Sequence, residues 1–455
     1  MTLFSIKDIC EKIWELEDQY HLLEFEAGGV LAWQITRMNI YYAIASKTGT
    51  FHTPHSEKIP HVDRIKSVFS FGKNLLSNPF GNFKKTDILV FDHARKIPID
   101  GEYIDIYTKY LTDSFKDSNW EVFESAYQGK HLSRPAENIH YLDYITLVSH
   151  GIMNIVPYRF KPDENATLGI VEKEINEHFG IEFNLKKLLA KEITAYRINY
   201  SYYRKLLDIK KPSVIYLVVS YSFYKKSLIG AAKDLGIQTV ELQHGTLSRY
   251  HLGYSFPGKI KKIKHFPDKF FSFGSYWNTA ADFPIGPEDI VVKGFSHFRS
   301  QKNNYQGINR IPNQILVISQ GAIGKELSEF AVSLARKLPD FRIIYKLHPG
   351  EYSLWKKDYK ILSEGLKLNN FIVVDSSDTP LYQFFAESEI TLGVFSTALF
   401  EALGFGCKIF IADLPGIEYM LDLIESGEVI RVKTPENMIR LLNESISETS
   451  KLTFF

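Results

Sequence analysis

The chain has 455 residues, a formal net charge of +1 and 24% charged residues. At roughly 100–200 residues per domain, this length implies two or three domains with sizeable cores and argues against a lone small binding module. The balanced charge gives no global reason to expect nucleic acid, and the two cysteines, Cys10 and Cys407, lack metal-ligand spacing or a disulfide framework, which fits a reducing compartment.

The opening residues, MTLFSIKDICEKIWELEDQY, read as an acidic amphipathic helix without the basic start and long apolar core of a signal peptide. The most apolar early stretch, 38–46, is far shorter than the roughly 20 residues of a spanning helix. A cytoplasmic protein is therefore expected, peripheral at the inner face of the cell membrane at most. The 33 Phe and 26 Tyr are read first as core packing. Residues 1–80 look helical with polar breaks, and 23–45 carry an apolar face around Trp33 and Arg37. In 63–85, phenylalanines and leucines interleave with Arg64, Lys66, Lys73, Lys84 and Lys85. Two readings stay open there: a membrane-surface contact, or a helix packed on its own domain with its lysines in solvent.

Residues 86–92 (TDILVFD) read as a buried strand that delivers the loop 93–103 (HARKIPIDGEY), rich in reactive side chains. The strand 213–219, the helix 224–235 and the strand 239–242 then form a strand–helix–strand unit of a parallel sheet. After the basic stretch 257–264 a second series is expected, with strands at 269–273, 290–292, 314–319, 342–347, 371–374, 390–392 and 408–411 and helices at 326–337, 381–386 and 398–403. The fold class is thus α/β, two doubly wound sheets. The expected domains are 1–262, acceptor side and helical over 1–80; 263–435, donor side; and a C-terminal helix or tail over 436–455. Ligands of such sheets bind beyond the carboxyl ends of the strands, so the residues just after each strand carry the information.

Four of these loops hold residues suited to a nucleotide phosphate and a hydroxyl acceptor. After 342–347, Pro349 fixes the backbone and His348 is placed to donate a hydrogen bond to a phosphate oxygen. After 390–392, Ser396 and Thr397 stand at a helix N-terminus that favours an anion, with Glu401 one turn deeper to accept from ribose hydroxyls. After 314–319, Gln320 and Gly321 open a small-residue loop in which a ligand approaches the backbone, although its spacing is neither the dinucleotide fingerprint nor the phosphate loop of NTPases. After 239–242 comes His244, either a base toward an acceptor hydroxyl or a positioning residue.

These pieces resemble bacterial GT-B glycosyltransferases of capsule, lipopolysaccharide and related surface-glycan assembly. The resemblance rests on QHGT at 243–246, GSYW at 274–277, GFSHF at 294–298, LHPGE at 347–351 and FSTALFEALGFG at 395–406, and covers mainly 213–420. It implies the GT-B fold: two Rossmann-like domains facing a central cleft, here with extra N-terminal helices. In similar enzymes that use CMP-sialic acid or CMP-Kdo, a His-Pro pair and a Ser/Thr pair contact the donor nucleotide and its phosphate, matching His348, Pro349, Ser396 and Thr397. Teichoic-acid glycerophosphotransferases also look similar, with an HGT loop whose histidine is implicated in catalysis, matching His244, Gly245 and Thr246. UDP-N-acetylglucosamine 2-epimerases share the architecture, which leaves three chemistries on one scaffold.

Two departures narrow the choice. The second glutamate expected eight residues after Glu401 in retaining enzymes is Ile409, and no Asp-x-Asp occurs, so an inverting transfer without metal or other cofactor is expected. Its partners are a nucleotide-sugar donor and a glycan or lipid-linked acceptor, with no nucleic acid. His244 is the first choice of base; Asp92, His93, Asp100, Glu102 and Asp105 are the alternatives, and Arg95 and Asp105 are expected on the acceptor side. The rival readings are transfer of a polyol phosphate from a CDP-linked donor and a non-catalytic nucleotide-sugar sensor or scaffold.

Overall fold

In the computed structural model, the apolar runs become strands buried on both faces, as parallel strands covered by helices must be. The structure describes residues 4–50, 78–81, 84–99, 101–116, 118–127, 130–133, 136–258, 263–442 and 453–455. Asp100 and most of 63–85 lie outside these residues. At the described end of that stretch, Phe80 packs edge-on against Tyr202, on its own domain.

The first sheet contains β1 (Ile88–Phe91), β2 (Trp120–Glu124), β3 (Ile139–Tyr141), β4 (Val214–Val218), β5 (Gln238–Leu242), β6 (Lys269–Ser272) and β7 (Ile290–Val292). Its seven strands are all parallel, in the order β7-β6-β5-β4-β1-β2-β3. The second contains β8 (Gln314–Ile318), β9 (Arg342–Lys346), β10 (Phe371–Val374), β11 (Ile390–Gly393), β12 (Lys408–Ala412) and β13 (Ile430–Val432). Its six strands are again all parallel, in the order β10-β9-β8-β11-β12-β13. In both, the order reverses between the first strand and the fourth, β1 against β4 and β8 against β11. The loops leaving those strands open a crevice in which doubly wound sheets bind ligands. The two Rossmann-like sheets of the GT-B expectation are therefore present.

One expectation needs correction. Residues 269–272 and 290–292, read as the first strands of the second series, extend the first sheet instead: β6 pairs with β5, and β7 with β6. Strand character alone does not say which sheet a strand joins.

Eight helices matter for the site: α1 (Ile6–Gln19), α2 (Ala32–Thr48), α3 (Asp143–Ile155), α4 (Pro162–Phe179), α5 (Leu185–Lys210), α6 (Phe223–Asp234), α7 (Gly324–Lys337) and α8 (Thr397–Gly404). A capping box formed by Ser5 and Asp8 starts α1. Apolar faces of α1, α2, α4 and α5 share one core with the loops after β5 and β6. Within it the fully buried Arg37 holds both carboxylate oxygens of Glu17, at 2.6 and 2.9 Å. The same guanidinium donates to the Ser255 carbonyl at 3.0 Å and to that of Leu252, so the N-terminal helices brace the chain that follows His244. Among the described residues, no helix is long and apolar enough to cross a membrane.

Aromatic packing joins the domains. Trp277 of the loop after β6 meets Phe400 of α8 at 4.4 Å between ring centroids. The tail residues Thr453–Phe455 return to the same place: Trp277 Nε1 donates to the Phe454 carbonyl at 2.7 Å, and the Phe455 ring sits 4.3 Å from that of Phe298. Gly274 makes room for the tail, since a Cβ there would stand 2.2 Å from the Thr453 carbonyl oxygen.

Candidate functional site

The first-domain wall is built where β4 and β5 end. Val219 leaves β4 with φ 62°, a left-handed conformation that costs a β-branched residue about 1–3 kcal/mol. The turn aims the Ser220 N–H at Glu241 Oε1, 2.9 Å away, inside a pocket where Glu241 has no solvent exposure. Burial pushes the Glu241 carboxyl up to about 7. Tyr254 donates to the same oxygen at 2.6 Å, and its hydroxyl oxygen lies 3.4 Å from His244 Nδ1. With the phenol proton committed to Glu241, that oxygen faces Nδ1 as an acceptor. His244 then carries its proton on Nδ1 and its lone pair on Nε2, which lies 3.3 Å from the Tyr221 hydroxyl. Burial first, and then His93 and His251, push His244 down to about 3, so its ring is neutral at pH 7.

The loop after β1 supplies the floor. Asp105 accepts from the backbone N–H groups of His93 and Tyr107 and from the Thr108 hydroxyl, at 2.9, 3.0 and 2.7 Å, and so organises the loop. The His93 ring stacks 6.1 Å from that of His244, and its Nδ1 lies 3.0 Å from the Arg95 carbonyl. Asp92 is buried and paired with Lys96, while Glu102 is exposed on a hairpin. Arg95 is exposed, and its charge is felt by His348 on the opposite wall.

The second-domain wall is built from β8, β9 and β11. His348 Nδ1 accepts from the Gly350 N–H at 3.1 Å, which places the ring proton on Nε2 as a free donor toward the cleft. Its backbone N–H donates to Glu351 Oε2 at 2.6 Å, and Glu351 in turn accepts from the Ser319 hydroxyl at 2.9 Å. The buried Glu351 thus ties the loop after β9 to the end of β8. Desolvation first, and then the charges of Arg95 and Lys346, lower His348 to about 4. Pro349 opens the short turn that follows. Gln320 accepts from the Phe395 N–H at 3.3 Å, linking the two loops of the switch point, and Gly321 beside it is exposed.

Ser396 caps α8 through the Ala398 N–H at 3.2 Å. Thr397 Oγ1 lies 3.2 Å from Thr246 Oγ1, which carries the HGT loop of one domain onto the helix N-terminus of the other. Glu401 accepts from the Tyr382 hydroxyl at 2.9 Å, and burial raises it to about 7. These contacts thus bring His93 beside His244, the His244 loop through Thr246 onto Thr397 next to Ser396, and the charge of Arg95 to His348. Asp105 stays behind its loop, and Asp100 lies outside the described residues.

Sequence reading missed Tyr254, Glu241, Tyr221, Tyr107, Glu351 and Tyr382. Glu241 had a signal, being a carboxylate set between Val240 and Leu242 in a strand. The role of Val219 had none, since valine is among the residues least expected at positive φ.

No family model matches the chain, and no curated protein matches it. Among solved structures it is similar to a UDP-GlcNAc 2-epimerase from Methanocaldococcus jannaschii, at 11% identity and a TM-score of 0.48, over 81% of this chain and 94% of that one. A UDP-GlcNAc 2-epimerase from Neisseria meningitidis bound to UDP-GlcNAc is 13% identical with a TM-score of 0.43, over 79% and 91%. The wall teichoic acid polymerase TagF is 11% identical with a TM-score of 0.39, over 84% and 88%. At such identities the likeness concerns chain architecture, and what these proteins bind or make is their own.

Proposed function

We propose that the chain is a glycosyltransferase that moves a sugar from a nucleotide-sugar donor to a hydroxyl of a glycan or lipid-linked acceptor, with inversion and without a metal. The observation that carries this reading is a neutral imidazole on one wall facing an anion site on the other. His244 presents its Nε2 lone pair, the His348 Nε2–H and the N-terminus of α8 lie on the other domain, and Arg95 of the loop after β1 extends its charge to His348.

The acceptor hydroxyl gives its proton to His244 Nε2, and its oxygen forms the new bond to the anomeric carbon. The bond from that carbon to the donor phosphate oxygen breaks, and the charge of the departing nucleotide is met by the groups of the second wall. An anionic donor in the cleft raises the His244 pKa from its unliganded value, bringing the base closer to working pH. Ribose hydroxyls are assigned to Glu401, beside the oxygen that Tyr382 already occupies.

Purified protein incubated with a panel of nucleotide-sugars and glycan acceptors tests the reading. His244→Ala is expected to lower turnover about 10²–10⁴-fold while nucleotide binding is kept. Unchanged turnover removes His244 from the role of base.

A second reading is favoured by one contact. The 3.2 Å approach of Thr246 to Thr397 sets the HGT loop against the anion site itself, which also suits a histidine acting at phosphorus in polyol-phosphate transfer. Phosphate retained in the product, seen by mass spectrometry, decides for that reaction and against sugar transfer.

A further inference from the structure

Among the described residues, the outer face of α3 carries a row of large apolar side chains that stay exposed. Ile145 and Ser149 turn inward, while Tyr144, Leu147 and Ile155 follow one another at helical spacing on the opposite side. Exposure is 58% for Leu147, 78% for Ile155 and 62% for the adjoining Val156, with Ile152 at 40% and Tyr144 at 44%. Large apolar side chains clustered this way on one helix mark an interaction site, unlike single exposed residues elsewhere on a surface.

Charge says what covers it. From Tyr144 to Lys161 the chain has no acidic residue, and the stripe runs directly into the exposed Arg159 and Lys161. Lys191 of α5 lies beside the end of α3, where its Nζ donates to Asn154 Oδ1 at 2.7 Å. An apolar face with cations at its C-terminal end complements an anionic lipid surface, with the side chains entering the headgroup boundary and the bases meeting lipid phosphates.

The face also adjoins the acceptor side of the cleft. Asp143, which opens α3, receives His131 Nε2 at 2.6 Å, and His131 joins through Glu124 and Lys96 to the loop after β1. Farther along α3, His150 Nε2 lies 2.9 Å from the hydroxyl of Tyr224, in the first turn of α6.

We infer that the exposed face of α3, from Tyr144 to Val156, with Arg159, Lys161 and Lys191, docks the protein on an anionic membrane surface next to its acceptor-side loops. This segment is separate from 63–85, and the inference does not depend on which group is transferred.

Flotation of the full chain tests it, with vesicles of phosphatidylcholine alone and of phosphatidylcholine mixed with phosphatidylglycerol. Wild type is expected to float with the mixed vesicles and not with the neutral ones. The triple change Leu147→Ser, Ile155→Ser, Val156→Ser and the pair Arg159→Glu, Lys161→Glu should each lower partition at least about tenfold. Their melting temperatures should match wild type, because the replaced side chains are exposed, and transfer to a water-soluble acceptor should persist. Variants that float like wild type overturn the proposal, as does a wild type that stays with the buffer. A wild-type dimer that Ile155→Ser dissociates in the absence of vesicles also overturns it, since a second copy then covers the face.

Discussion

Tyr254 donates its phenol proton to Glu241 across 2.6 Å, in a pocket from which water is excluded around both side chains. This bond orients His244, because it leaves the phenol oxygen as an acceptor for Nδ1–H and turns the basic nitrogen toward the cleft. Tyr254→Phe keeps the ring in its packing and removes only the hydroxyl. It should lower kcat by about tenfold or more while KM and nucleotide affinity change little, because it disturbs the tautomer of a base and not the donor site. Steady-state kinetics with calorimetry checks this, and a variant with full kcat removes the relay from the mechanism.

Much of this architecture was legible because strand and helix periodicity is local. β7 and β10 were read to the residue and the other strands and helices given bounds lie within a residue or two at each end, whereas β2, β3, β13 and the helices α3, α4 and α5 were not read. The membership of β6 and β7 was not legible, since it depends on which edge of which sheet is free when the chain arrives. The site divided along the same line. His348, Ser396 and Thr397 follow strands directly, so position in the chain exposes them. Tyr254 and Tyr382 reach the cleft from neighbouring segments through packing, and no spacing rule announces them.

His348 gives a pH dependence for donor binding. Without ligand its pKa is held down to about 4, and a bound phosphate raises it by favouring the imidazolium. Protons are then taken up on binding in the interval between the two values. Nucleotide affinity should therefore rise as pH falls through that interval, by at most tenfold per unit. Calorimetry in buffers of different ionisation enthalpy reads the uptake. His348→Ala should remove it and weaken binding at neutral pH by about 1–3 kcal/mol; uptake that persists in the variant assigns it to another group.

Arg37 and Glu17 make a buried pair that supports the His244 loop from behind. Arg37→Met leaves Glu17 uncompensated and frees the Leu252 and Ser255 carbonyls, so it should cost about 3–5 kcal/mol in urea unfolding. Adding Glu17→Gln should restore part of that loss, since the stranded charge goes with it. A double variant no more stable than the single one shows that the carbonyl contacts, and not the charge, dominate.

The chain of charges under the β1 loop sets an alkaline limit to stability. His131 lies between Glu124 Oε1 at 2.8 Å and Asp143 Oδ2 at 2.6 Å, with the Tyr141 ring stacked 3.7 Å away. Burial opposes its charge, but the two carboxylates outweigh burial and hold His131 up at about 9, against 6.5 for a free histidine. A pKa raised on folding means that the native state keeps a proton the unfolded chain releases. The stabilisation is thus full below pH 6.5 and is lost as pH rises through 9. Glu124 behaves oppositely: against burial, His131 and Lys96 bring it down to about 2, so its share is present above 4.5 and is lost only in strong acid. His131→Gln, which can still hydrogen bond but carries no charge, should therefore be less stable than wild type by roughly 3 kcal/mol near pH 6. The gap should close as pH approaches 9 and beyond. Urea unfolding of both proteins across this range decides the matter. A gap that stays constant from pH 6 to 9.5 means that His131 is neutral, and that the two carboxylates are held by Lys96 and the backbone instead.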